Sequence, residues 1–460
     1  MNNDRYIAAI EISSSKIIGA IGKTSGRGDL DIIALEQEKC VESVRYGNIK
    51  NLEETSTRIA RIINKLERKA GVAPRVVGRL FVGLSGRSIR SISSEATLTL
   101  QDDTEITQDI IMRLRDEALK KAIDSSLEVV DAVPGIFTVG KTETRNPIGQ
   151  VGNRIKGSFD LIVCRPEIKR NLSRTITEKA GIKIERFVVT ALATAHLILK
   201  PEEKRLGCML VDMGAETTTV SIYKNGGLQY FATIPLGGRN ITRDLTTLNL
   251  LEERAEDIKI LSGNAISISQ SAVHNLNGLK VQDVNNLVVA RAEEIVANVV
   301  EQMVYAGLKD SDLSGGMKVI GGACKLARMT ELLAQQSNLH VSVGKLPDGI
   351  IYIEDSESNP GIESLEVISI AYAAATLSQT DCLEERRDSQ IIGQPQQQPL
   401  QPQQPQQPVQ GQHVQPREPV EREEQPVRVK PHKRSLFEGF KRRITNLFSP
   451  PEDDESDLLD

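Results

Sequence analysis

A carboxylate, a turn of small residues and two hydroxyls can together hold a metal-bound phosphate, and the chain places that set at Asp212, Gly214-Ala215 and Thr217-Thr218. A tight turn without bulky side chains lets backbone N–H groups approach an anion closely. Asp212 suits Mg²⁺ held through water, because Mg²⁺ keeps much of its hydration shell. An ordinary hairpin with a small turn fits the same residues. The pattern recurs near the N-terminus, however, where Glu11 precedes Ser13-Ser14-Ser15. A third element, Met317 to Ala323, runs as a strand into Gly321-Gly322, a surface on which a flat ring can lie, with a helix expected from about Lys325.

The elements that must position these residues are legible from their apolar patterns. Cys208 to Val211 is a continuous apolar run and Thr217 to Tyr223 alternates, so the second set lies on a strand–turn–strand unit. Tyr6 to Ile12 and Ile17 to Ile21 do the same for the first. Leu30 to Glu36 is a further strand, Leu52 to Ala70 a helix, and Leu80 to Gly86 a strand ending in glycine. Residues 86–165 read as a small separate domain, with a helix after Thr107 and strands at Leu127 to Val133, Ile136 to Thr142 and Gly157 to Cys164. Helices follow at Pro166 to Ala180, Ala191 to Leu199, from Thr242, Leu251 to Ile260, within Lys280 to Ala306, and Ile368 to Thr376. His196 has no acid or metal partner nearby in sequence and reads as a packed core or surface histidine.

The 460 residues suit about three domains. A net charge of −5 with no tryptophan excludes a nucleic-acid polycation and a stacking surface for single strands. Five scattered cysteines without CxxC spacing read as buried thiols in a reducing compartment. Neither a secretory signal nor a spanning apolar run is present. Residues 385–432 form a Gln/Pro-rich, charge-mixed linker that cannot bury a core and is expected to be disordered. Beyond it, Leu436, Phe437, Phe440, Ile444, Leu447 and Phe448 fall within an arc of about 120° on a helix. Lys441 and Arg442 lie outside that arc and Arg443 just beside its edge, and with Lys433 and Arg434 they make five positive charges against Glu438. Residues 433–449 therefore read as an amphipathic helix lying in an anionic membrane surface, followed by an acidic tail at 450–460.

Two hairpin clamps and a later Gly-Gly strand end follow the order of the actin-type nucleotide fold. In detail, AIEISSSKIIGAIG (Ala9 to Gly22), RNPIGQVGNRIKGSFDLIVC (Arg145 to Cys164), VDMGAETTTVSIY (Val211 to Tyr223) and VIGGACKL (Val319 to Leu326) resemble FtsA, the actin-like bacterial cell division family. The likeness covers about 1–380 and the design of the tail. It implies an α/β, two-lobed actin-like ATPase fold: 1–85 with 166–195 as the first lobe, 86–165 as an inserted FtsA-type subdomain, 196–244 with 311–384 as the second lobe, and 245–310 as its subdomain. It implies ATP and Mg²⁺ between the lobes. Ser13, Ser14, Ser15 and Lys16 would meet phosphates from one side, and Gly214, Ala215, Glu216 and Thr217 from the other. Asp212 would face Mg²⁺, Gly321, Gly322 and Ala323 the adenosine, and Glu256 and Lys259 the ribose. It also implies filaments of the chain itself, docking of the FtsZ C-terminal tail near Arg291 and Glu294, with Lys280 a further candidate, later division partners, and peripheral attachment to the cytoplasmic face of the membrane at the division site.

Two features depart from that pattern. Ser13 stands where relatives carry glycine. Val188-Val189-Thr190-Ala191 offers no Gln or Glu to orient water, so ATP hydrolysis is expected to be slow or absent. The rival readings are a sugar or metabolite kinase on the same fold and another actin-like filament protein. No acid poised for a substrate hydroxyl stands out for the first, and the insertion at 86–165 speaks against the second.

Overall fold

The computed structural model describes residues 5–24, 29–40, 42–101, 104–120, 123–267, 279–353 and 361–385. The expected linker, amphipathic helix and acidic tail lie outside these residues, apart from Glu385.

Two sheets carry the structure, and each is built around the same five-strand unit. In the first, Arg5–Ile12, Lys16–Thr24 and Leu30–Lys39 form an antiparallel meander, and Arg79–Leu84 and then Lys183–Val189 add in parallel beside Arg5–Ile12. In the second, Cys208–Met213, Thr218–Lys224 and Gly227–Ile234 form the meander, and Met317–Ile320 and then Val341–Val343 add in parallel. Ile351–Ile353 extends the first sheet beside Leu30–Lys39. The recurrence seen in the sequence as strand, acid and turn is thus a recurrence of the whole sheet.

The leading strands are buried on both faces: Ile7 to Ile10 and Met209 to Val211 are almost fully enclosed. That explains why they read as apolar runs rather than alternating patterns. The Leu52–Lys69 helix covers the first sheet through Ile59, Ile62, Ile63 and Leu66. Asn51 caps it by accepting from the Glu54 N–H at 3.0 Å. The helices Thr190–Ile198 and Leu365–Leu377 pack against one another, and His196 stacks on Tyr372 there while remaining exposed, a surface histidine. All five cysteines are free and buried.

The inserted region has its own core, in which Phe137 meets Phe159 edge to face at 5.8 Å. Its strands Arg90–Thr99, Arg154–Cys164 and Glu128–Val139 join the second sheet through one residue pair, Ala232 opposite Arg90. Glu128–Val139 corrects the expectation of two strands. Pro134 and Gly135 do not end the strand, because the ladder shifts register near Gly157 and Phe159 instead. Three helices also differ from expectation. Pro166–Ser173 passes into a π-helical turn at Arg174–Lys179. The helix expected from Thr242 begins at Gly238. After Ile320 comes a 3-10 turn, Gly322–Lys325, and the helix starts only at Met329.

Candidate functional site

The two hairpin turns carry unused backbone donors. In the first, the Ser13 N–H donates to the Lys16 carbonyl at 3.0 Å, and the Ser13 hydroxyl donates to the same oxygen. The N–H groups of Ser14 and Ser15 donate to no protein acceptor among the described residues. In the second, the Gly214 N–H donates to the Thr217 carbonyl at 2.8 Å. The Gly214 and Ala215 carbonyls are turned the other way and accept from Gly238 and Arg239 at 3.0 and 2.7 Å. The N–H groups of Ala215, Glu216 and Thr217 again meet no protein acceptor among the described residues. Successive N–H groups of this kind form an anion cradle.

Between the turns lies a cluster of three acids and one lysine. Glu11 accepts from the Ser85 hydroxyl at 3.0 Å and from the Thr190 hydroxyl at 2.9 Å. Burial, reinforced by the negative charge of Glu366, pushes it up to about 7 against those two hydrogen bonds and the charge of Lys16. Burial raises Asp212 well above the carboxylate range, and Glu366 adds to this by its charge and by a side-chain hydrogen bond. Burial likewise raises Glu366, against the pull of Lys16. Lys16 is lowered by burial, against Glu366 and Glu363, and donates to the Glu363 carbonyl at 3.0 Å. Asp212 Oδ1 is enclosed without a hydrogen-bond donor. An orphaned carboxylate oxygen beside a second acid fits a hydrated divalent cation, so these residues suit Mg²⁺.

Gly321 has φ +84°, and a Cβ there would meet the Met213 carbonyl at 2.5 Å and Asp212 Oδ1 at 2.7 Å. Its glycine is therefore demanded by the protein's own strand end, not only by a ligand face. Gly322 is different: a Cβ there meets nothing within 4 Å. Near it, Lys259 donates to the Gly238 carbonyl at 3.2 Å, Thr242 Oγ1 at 3.0 Å and Glu256 at 2.7 Å. A Cβ on Gly238 would lie 3.1 Å from the Ala323 methyl. Gly321 to Ala323, Glu256 and Lys259 thus come together at one edge of the second sheet. Gly322→Val is expected to abolish ATP binding at an unchanged melting temperature. Wild-type affinity by calorimetry would remove Gly322 from the site.

Three side chains stand otherwise than the sequence suggests. The Ser14 hydroxyl accepts from the Gly47 N–H at 3.1 Å, so it is partly engaged within the protein. The Glu216 carboxylate, 1% exposed, is taken up by Arg45 at 2.8 Å, Arg243 at 2.7 Å and the Tyr46 N–H at 2.7 Å. Its side chain is thus held within the protein, and what it offers the cradle is its backbone N–H. Arg291 grips both oxygens of Asp244 at 2.6 and 3.0 Å and also pairs with Glu294. These are half-buried ion pairs, not free charges awaiting a partner. Glu366 is the residue that the sequence reading missed. Its signal was a lone acid in the otherwise apolar helix LEVISIAYAAATL.

The family model for "Cell division protein FtsA" matches residues 209–376, and the model for "SHS2 domain inserted in FTSA" matches 86–163. The cell division protein FtsA of Porphyromonas gingivalis is 27% identical over 370 residues, 77% of each chain. That of Bacillus subtilis is 28% identical over 357 residues, 74% of this chain and 79% of its own. The chain belongs to the FtsA family. Its fold is the two-lobed actin-like fold with the FtsA-type insertion. Among solved structures, the PilM–PilN type IV pilus biogenesis complex aligns with a TM-score of 0.54 at 16% identity, covering 80% of this chain and 97% of that one, a likeness of fold alone. Among the described residues of this FtsA-family chain, no helix is long and apolar enough to cross a membrane.

Proposed function

We propose that the protein binds ATP with Mg²⁺ between its two hairpin turns, assembles into actin-like filaments, and tethers FtsZ filaments to the cytoplasmic face of the membrane at the division site. The observation that carries the nucleotide reading is the pair of turns with unused N–H donors around Asp212, whose buried Oδ1 has no partner. In this reading 1–85 with 166–195 and 196–244 with 311–384 are the two lobes, and 86–165 and 245–310 their subdomains. Ser15, Ala215 and Thr217 meet phosphate, Lys16 balances its charge, and Gly322 and Ala323 face the adenosine. Mg²⁺, when bound, supplies positive charge against the phosphates, with Asp212 holding its water. Glu256 and Lys259 border the ribose.

Thr190, in the segment Val188 to Ala191 that offers no Gln or Glu where hydrolysing relatives place one, already donates its hydroxyl to Glu11. Water orientation is therefore poorly served, and turnover is expected well below about one per second, under typical enzyme rates. Phosphate release of tens per second from lipid-bound protein would overturn that expectation. The same hydrogen bonds weaken the kinase reading, since Ser85 and Thr190 engage both oxygens of Glu11.

For tethering, the FtsZ tail docks on the 245–310 subdomain, where Arg291 and Glu294 are candidates and an acidic peptide would have to compete with Asp244 for Arg291. The sequence of 433–449 supplies the membrane contact through Phe437, Phe440 and Phe448 with their basic neighbours. Later division proteins are further partners. Deleting 433–460 is expected to release the protein from anionic liposomes in a sedimentation assay, while ATP and FtsZ-tail-peptide binding persist. Liposome binding that survives the deletion would place the membrane site elsewhere, and a wild-type protein that ignores the tail peptide would remove the tethering role.

A further inference from the structure

Beside the nucleotide cleft, where the first lobe meets the inserted region, lies a concavity of about 230 Å³ bordered by Arg45, Tyr46, Lys50, Arg87, Ser88 and Arg165. Four of these carry positive charge. Arg45 is paired with Glu216. Among the described residues, Lys50, Arg87 and Arg165 are in no close ion pair, although the charge of Arg165 contributes to holding Asp124 below its ordinary value. Glu167, the acid on the rim, accepts from Asn48 at 2.9 Å. Unneutralised cations crowded around one hollow repel each other unless an anion joins them, and such a hollow concentrates anions from solution.

The backbone of this wall is also held in an unfavourable form. Tyr46 has φ +51° and Gly47 φ +75°. A bulky residue in the left-handed region costs energy and persists only where its surroundings enforce it. Here they do. The Tyr46 N–H donates to Glu216 at 2.7 Å, its carbonyl accepts from the Arg87 N–H at 3.2 Å, and the Arg87 guanidinium lies 5.3 Å over its ring. Gly47 allows the close approach, because a Cβ there would meet the Gly86 Cα at 2.5 Å. The strained turn thus fixes Arg45 and Arg87 on the same hollow.

The geometry points to a second anion site here, separate from the nucleotide cleft, that takes a compact phosphate-bearing ligand of two or more negative charges. Lys50, Arg87 and Arg165 supply the recognition, with the Ser88 hydroxyl at the rim. The size of the hollow suits a short run of phosphate groups rather than a whole nucleotide. Arg45 links the site to the cleft. An anion that draws Arg45 loosens its grip on Glu216, which sits in the second clamp turn. By linkage, ligand here and ATP in the cleft must then affect each other's affinity reciprocally.

The test uses full-length protein with the cleft filled by a slowly hydrolysed ATP analogue and Mg²⁺, titrated calorimetrically with inorganic tripolyphosphate at low and moderate salt. One site per chain is expected, weakening as salt rises. Arg87→Glu with Arg165→Glu should weaken it at least about tenfold. Both residues are exposed, and retained binding of the ATP analogue shows that this variant is folded. Lys50→Ala serves as a milder second variant, expected to weaken the site several-fold. Raising an already saturating concentration of the ATP analogue tenfold should leave tripolyphosphate affinity within about twofold, which separates this site from the cleft. A parallel arm with short-chain phosphatidic acid and glycerol phosphate distinguishes a lipid headgroup from a free phosphate, and Arg87-dependent binding of either supports the assignment. No tripolyphosphate binding by wild type, binding that survives the Arg87/Arg165 reversal, or binding that is competed away by excess ATP analogue would overturn it.

Discussion

Replacing Asp212 by Asn is expected to lower Mg²⁺-dependent ATP affinity about a hundredfold while making the nucleotide-free protein more stable. A hundredfold corresponds to about 3 kcal/mol, the scale of losing a charged partner in an enclosed site. The stability gain has its own cause. Asp212 is buried beside Glu366, and burial and that neighbour both resist its ionisation. Asp212 lacks a full set of partners, since its Oδ1 is an orphan. Removing one ionisable group from such a pair relieves the conflict, and the melting temperature at neutral pH should rise by a few degrees. Binding sites commonly carry this cost in stability. Calorimetric ATP titration with and without Mg²⁺, beside thermal unfolding of the free protein, checks both halves. Lost binding together with a lowered melting temperature would make Asp212 a structural residue rather than a cation site.

The second expectation concerns pH. Glu11 is raised from 4.5 to about 7, chiefly by burial, so the folded chain keeps this proton to a higher pH than the unfolded chain does. A raised pKa stabilises most below the unfolded value and loses that contribution as pH climbs through the folded value. For Glu11 the contribution is complete below about pH 4.5 and fades up to and beyond about pH 7. At 1.36 kcal/mol per unit, the span is roughly 3 kcal/mol. Asp212 and Glu366 are shifted in the same direction and steepen the fall. Urea denaturation of the nucleotide-free protein should therefore show stability dropping between about pH 5 and 8. Glu11→Gln keeps the shape and a hydrogen-bonding group against Ser85 and Thr190, and should remove most of Glu11's share of that slope. A flat wild-type profile, or an equally steep one in the variant, would refute the assignment.

By itself the sequence determined the local chemistry of the two turns. Glycine, alanine and serine at tight turns after apolar strands are demanded by short-range sterics, which sequence records directly. The same holds for the Gly321-Gly322 strand end and for the Asn51-capped helix, whose apolar spacing needs no distant partner to be read. The resemblance to one family was legible for the same reason: its motifs are contiguous. Tertiary structure decided what the charges do. Glu216 follows the turn in sequence and looks like part of the clamp, yet Arg45 and Tyr46, some 170 positions away, claim its carboxylate. Glu366 lies 154 positions from Asp212, as their numbers show, and no local pattern announces that a helix will bring the two acids together. Arg291 reads as one more charge on a helix face until Asp244 is placed against it. Shape at turns is set by neighbours in the chain, whereas the fate of a charge is set by whichever groups folding places within a few ångströms, and burial then multiplies what each of those neighbours does.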